Sequence, residues 1–171
     1  KDIVPTRPDF RVRGVLNPGA VRLPNGKIML LCRVAETPKH GKKIFLSPRF
    51  AGNGKSEILM EKIPRGSGML FPDSFVMEDN IMRLPTISHL RKILLDESGL
   101  EVESASQQPD FIGRTEDGDF GVEDPRITPL KGEGRYAMTY VSVSRSSGVS
   151  TSLAVSRDLA NWERKGIIFR Q

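Results

Sequence analysis

The chain has 171 residues, enough for one ordinary domain or two small ones, and 37% of them are hydrophobic, so a core can be buried. Sixteen Gly and 12 Pro set against 8 Phe, 2 Tyr and 1 Trp predict many turns and few long helices, which favours β structure. A net charge of +5 suits an anionic partner, but the basic residues are dispersed among acids and do not alternate with aromatics, so no nucleic acid is expected; no membrane is expected either, because no apolar run approaches the roughly 20 residues that span a bilayer.

Residues 19–35, "GAVRLPNGKIMLLCRVA", are two apolar runs around Pro24-Asn25-Gly26, a hairpin whose Asn-Gly pair tolerates positive φ. Within it lies Cys32, the sole cysteine. It excludes an internal disulfide, fits a buried thiol and says little of compartment beyond permitting a reducing one; with no spanning run and no secretory signal heading the chain, a soluble cytoplasmic protein is expected. Residues 37–80 show no clean period and read as a loop-rich insertion within a single domain, 1–171, either strands with long excursions or a poorly ordered loop. "RLPTISHLRKILL", 83–95, regains strand character, although "SHLRKILLDE" also scores as a short helix. Residues 126–144 form a second hairpin with its turn at Lys131–Gly134; "GVSTSLAVS" and "WERKGIIF" add two strands around the turn "RDLAN". Both ends read as cut from a longer protein: residue 1 is Lys, and the last apolar run, "KGIIF", needs a neighbouring strand.

The segments repeat. "NPGAVRLPNGKIMLLCR" from Asn17 and "DPRITPLKGEGRYAMTY" from Asp124 share the order Asx-Pro, strand, Gly-containing turn, basic residue, apolar strand. "LLDESGLE" and "VSRDLANWE" place Asp96 and Asp158 each four residues before a large apolar residue, Leu100 or Trp162, followed by Glu. This suggests a repeated four-stranded unit whose inner strand begins at Asx-Pro and whose outer strand ends near Leu100 or Trp162, the habit of β-propeller blades. Inner strands of a propeller converge on one axis, so Asn17, Glu123, Asp124 and Arg126 are expected in one polar pocket with Arg33 and Arg91.

Each residue has a plainer reading. Asx-Pro commonly opens a turn, so "GVEDPRIT" could be a solvated turn, and Arg33 could be an exposed strand end. An arginine beside an aspartate favours the charged carboxylate while burial opposes it, and a general acid needs burial to win or a hydroxyl to relay the proton. No metal is expected, since His89 has only His40 as a distant companion, in a Lys-rich loop. Ser88 and His89 are adjacent, a poor geometry for a nucleophile and its base. Gly52-Asn53-Gly54-Lys55 and Gly66-Ser67-Gly68 complete no phosphate-loop pattern.

"VLNPGAVRLPNGKIMLLCRV", "ISHLRKILLDESGLEVE", "GVEDPRIT" and "SLAVSRDLANWERKGIIF" occur in an order and spacing that resemble glycoside hydrolase family 130, the β-mannoside phosphorylases and β-mannosidases. The resemblance covers residues 14–36 and 83–169. It implies an all-β fold, a five-bladed β-propeller of which this chain is the N-terminal half, about two to three blades. It further implies inverting cleavage of β-mannosides, with Asp124 as general acid working through a mannose hydroxyl and inorganic phosphate attacking the opposite face. Asn17 and Arg33 then match residues lining the mannose and phosphate region, Arg126 holds Asp124, and Glu123 supports the motif or contacts sugar. The partners implied are a β-mannoside oligosaccharide and phosphate, with no other cofactor. Phosphorolysis is favoured because Arg33, Arg91 and Arg126 make a basic pocket, while water-using hydrolysis and a non-catalytic sugar-binding fragment stay open. Unpaired strand edges also predict a homo-oligomer.

Overall fold

The computed structural model describes residues 2–39, 44–51, 57–64, 66–71 and 74–170. His40 and Gly52–Lys55 lie outside the described residues. In chain order the strands are β1 (Phe10–Arg22), β2 (Ile28–Pro38), β3 (Ile44–Phe50), β4 (Ile58–Pro64), β5 (Met69–Leu70), β6 (Phe75–Val76), β7 (Met82–Arg83), β8 (Ile87–Leu95), β9 (Val102–Ala105), β10 (Gly121–Leu130), β11 (Arg135–Ser144), β12 (Gly148–Ser156) and β13 (Glu163–Arg170). The fold is all-β, and among the described residues no helix is long and apolar enough to cross a membrane.

Two antiparallel four-stranded meanders account for most of it. The first runs β1-β2-β8-β9 and the second β10-β11-β12-β13. They are joined by one parallel pair, Gly121 with Ser88. The first turn is built on Gly26 at φ 85, with the Leu23 carbonyl accepting from Gly26 N–H. The "SHLRKILL" run is strand rather than helix, paired with β2 from Glu36↔Ile87 to Ile28↔Leu95. Its helical reading fails because both neighbours supply ladder partners that a short helix would forgo.

The repeat is visible in the backbone, with two corrections. Neither inner strand begins at Asx-Pro: β1 starts at Phe10 and β10 at Gly121. The Asx-Pro pairs instead form bulges inside these strands, between Leu16 and Gly19 and between Glu123 and Arg126. Proline cannot donate to a ladder, so an interior Pro is accommodated where pairing is already interrupted. A second correction concerns Leu100 and Trp162, which precede the last strand of each meander rather than ending it. Both turns are closed by an aspartate: Asp96 accepts from the N–H of Leu100 and Glu101, Asp158 from those of Ala160 and Asn161. Trp162 packs into the core while Leu100 is 84% exposed.

The main core lies between the meanders. Leu31 and Leu90 from the first meet Val122, Met138, Tyr140 and Ala154 from the second, with Phe111 between them. Strand periodicity chooses these residues: β12 alternates, burying Ser150, Ser152, Ala154 and Ser156, small side chains that let the sheets approach. The 106–120 crossover is held by aspartates. Asp110 accepts from Lys92 N–H, Asp117 from Tyr140 Oη and Arg164, and Asp119 from Arg145 N–H and Nε.

The 37–80 region contains regular structure where no period was legible. The β3-β4 hairpin pairs from Ile44↔Pro64 to Phe50↔Ile58, and Phe50 and Ile58 pack on Phe10 and Ile87. It covers the face of the first meander turned away from the second.

Candidate active site

The two bulges face each other. Asn17 and Asp124 occupy equivalent places, at φ 44 and φ 50, a left-handed conformation that Asn and Asp tolerate better than most residues. Asn17 Nδ2 donates to Asp124 Oδ2 at 2.9 Å. Gly19 makes the approach feasible, because a Cβ there would lie 2.8 Å from the Pro125 carbonyl oxygen. "NPG" and "EDP" are therefore two halves of one contact.

Arg33 reaches this contact from β2, the second strand of its meander rather than the inner one. Its Nη2 lies 2.7 Å from Glu123 Oε1 and its Nη1 donates to Asp124 Oδ1 at 3.4 Å. The three side chains are only 19–31% exposed, so the pair with Glu123 is less screened than a surface bridge. Burial pushes the Glu123 carboxyl above its ordinary value, with the Asp124 charge adding, while Arg33 and Ser88 act in the opposite direction. Arg126, exposed, donates to the carbonyls of Pro125 at 2.9 Å and Asn17 at 3.5 Å. It braces the two bulges and, among the described residues, makes no ion pair with the Asp124 carboxylate.

Arg91 is not part of this cluster, contrary to the expectation from sequence. Residues paired across β2 and β8 share a face, so Arg33 goes with Leu90 and Arg91 with Cys32, on opposite sides of the sheet. Arg91 is fully buried, donating to Glu36 Oε1 at 2.8 Å, His89 Nε2 at 2.9 Å and the carbonyls of Val4 and Gln107. Glu36 also accepts from Thr6 N–H and Oγ1, so this cluster ties the first residues to the sheet. Burial and the Arg91 charge push the His89 imidazole down to about 3.

Ser88 belongs to the site and was not singled out for it. Its hydroxyl accepts from Arg33 Nε at 3.3 Å. The only sequence sign was a polar residue in an apolar run, which says nothing of its partner. Cys32 is buried, and burial raises its thiol to about 11, so it offers no ready nucleophile. Among the described residues no group of three or more His, Cys, Asp or Glu side chains is placed to hold a metal. What the site offers is one solvent-accessible aspartate oriented by an amide and an arginine, beside a half-buried glutamate and two guanidinium groups.

No family model matches the chain. It is 28% identical, over 98% of its own length, to a β-1,2-mannobiose phosphorylase of Listeria innocua, of which it covers 47%. The solved structure of the β-1,2-mannobiose phosphorylase from Listeria innocua, in complex with β-1,2-mannobiose, matches with a TM-score of 0.83 at 27% identity, over 98% of this chain and 48% of that one. A sucrose-6-phosphate hydrolase from Lactobacillus gasseri reaches a TM-score of only 0.43 at 15% identity, over 90% of this chain and 34% of that one, too little to carry an argument. The chain thus spans about half the length of the relative it matches. The resemblance drawn from the motifs holds along nearly the whole chain, which is similar to the N-terminal half of a glycoside hydrolase family 130 β-mannoside phosphorylase.

Proposed function

We propose that the protein carrying this chain cleaves β-mannosides with inversion, by phosphorolysis that yields mannose 1-phosphate, with inorganic phosphate as co-substrate. The observation that carries this reading is the setting of Asp124, a partly exposed carboxylate held on a left-handed bulge by Asn17 and Arg33. The resemblance to a β-1,2-mannobiose phosphorylase supports the substrate class.

Asp124 acts as the general acid. Each of its oxygens accepts one hydrogen bond from protein and keeps a second lone-pair site for a sugar hydroxyl. A mannose hydroxyl takes the Asp124 proton and passes its own to the glycosidic oxygen, so the acid need not touch the leaving group. A phosphate oxygen attacks the anomeric carbon from the other face, the bond to the leaving sugar breaks, and its electron pair stays with the protonated oxygen. Arg33 and Arg126 place positive charge near the incoming anion, and Asn17 fixes the acid's orientation. On this reading the two meanders are the first two blades of a five-bladed propeller, and further phosphate and sugar contacts come from the remaining blades.

The test is incubation of the full natural protein with β-1,2-mannobiose, with and without phosphate. Mannose 1-phosphate is expected, and only when phosphate is present. Free mannose released at the same rate without phosphate would overturn phosphorolysis and favour inverting hydrolysis.

A further inference from the structure

Ser88 stands where the two meanders meet. It is 1% exposed, and its backbone forms the one parallel pair found among the described residues, with Gly121. A Cβ at Gly121 would lie 2.6 Å from the Ser88 carbonyl oxygen and 2.7 Å from its nitrogen, so only glycine lets β8 and β10 come this close. The approach brings the Ser88 hydroxyl between two groups from different meanders. It accepts from Arg33 Nε at 3.3 Å, and it favours the charged form of the Glu123 carboxyl. A hydroxyl that accepts from a guanidinium keeps its own proton free for an acceptor.

We propose that Ser88 is a positioning residue: by accepting from Arg33 Nε, it sets the plane of the Arg33 guanidinium and hence how that group is shared between Glu123 and Asp124. The inference rests on Asp124 being the general acid. A guanidinium is a rigid planar fork, so holding Nε dictates where Nη1 and Nη2 point. In the observed orientation the short contact, 2.7 Å, goes to Glu123 and the long one, 3.4 Å, to Asp124. Without the Ser88 hydroxyl the fork is free to turn and close on Asp124, tying up the acid.

Glu123 has to be ionised to hold Nη2. Among the described residues the charged groups acting on it are Arg33, from β2, and Asp124, from its own strand; the neutral Ser88 faces it from β8. Burial already raises Glu123 and Ser88 opposes that, so losing the hydroxyl raises it further. Glu123 then takes up its proton at a higher pH than before.

The experiment compares Ser88→Ala and Ser88→Thr with the parent and with Asp124→Asn, in the full natural protein, measuring mannose 1-phosphate formation from β-1,2-mannobiose across pH. Ser88→Ala is expected to lower kcat about 10- to 100-fold, the scale of a misplaced active-site group, with KM little changed. It is also expected to move the acid limb of the profile to higher pH, while Ser88→Thr, which keeps the hydroxyl, recovers most of the rate. An unchanged rate and profile in Ser88→Ala would overturn the proposal, as would an equal loss in both Ser88 variants with no movement of the acid limb, since that marks lost packing alone. If Asp124→Asn abolishes turnover while Ser88→Ala behaves as the parent, only the Ser88 inference fails; if Asp124→Asn keeps turnover, the general-acid reading beneath it fails too.

Discussion

Arg33 and Arg91 stand on adjacent strands of one meander, and their surroundings could hardly differ more. Arg33 is partly exposed and divided between two carboxylates of the other meander, and the Arg33–Glu123 contact is the shorter of its two. Arg91 is sealed on the opposite face with Glu36 and His89, satisfied by carbonyls of Val4 and Gln107. One arginine spans a partly exposed seam between the meanders, and the other is sealed in the interior. The same side chain serves position and charge in the first place, and fold integrity in the second. A strand presents successive residues to opposite faces, so whether two residues on neighbouring strands meet depends on register, not on residue type.

The contrast can be broken from either side. The largest effect is expected on the open side, where Asp124→Asn should reduce mannose 1-phosphate formation about 10²- to 10⁴-fold, the usual contribution of a general acid. Thermal unfolding of that variant should stay close to the parent, since Asn keeps the shape and the left-handed preference of the bulge. On the sealed side, Arg91→Ala should cost about 3–5 kcal/mol in urea unfolding, because it leaves the Glu36 charge buried without its partner. A double replacement, Arg91→Met with Glu36→Leu, should regain much of that stability, whereas no such pair of apolar residues should restore activity at Arg33 and Glu123.

The remaining effect sharpens the contrast through pH. His89 has its ordinary value of 6.5 when unfolded and is pushed down to about 3 in the fold, so the unfolded state binds more protons across that window. Its contribution is fully present above pH 6.5 and is lost as pH falls toward 3, at no more than about 1.4 kcal/mol per pH unit. Stability measured by urea unfolding should therefore decline through this range, and His89→Gln should flatten the decline. An unaltered slope in His89→Gln would show that other groups govern it.

Much of the architecture was legible. The Asn-Gly turn, the second hairpin and the alternation of β12 are local patterns, and each corresponds to the observed element. The equivalence of Asn17 and Asp124 was legible too, from two Asx-Pro steps before similar strands. Their role as bulges was not, because a proline that opens a strand and one that interrupts it look alike without the partner strand. The β3-β4 hairpin could not be delimited within 37–80, because Phe50 and Ile58 are buried by packing on Phe10 and Ile87, contacts that a local pattern does not reveal.

The sequence by itself determined the all-β character, the repeated unit and the aspartate to test first, since these depend on periodicity and on residues whose backbone preferences act locally. Only the tertiary structure decided that Arg33 enters the site while Arg91 does not, and that the Ser88 hydroxyl meets Arg33. The reason is physical. A one-residue change of register reverses which face every side chain of a strand occupies, and register here is settled by the packing of Leu31 and Leu90 against Val122, Met138 and Tyr140, residues distant in the chain.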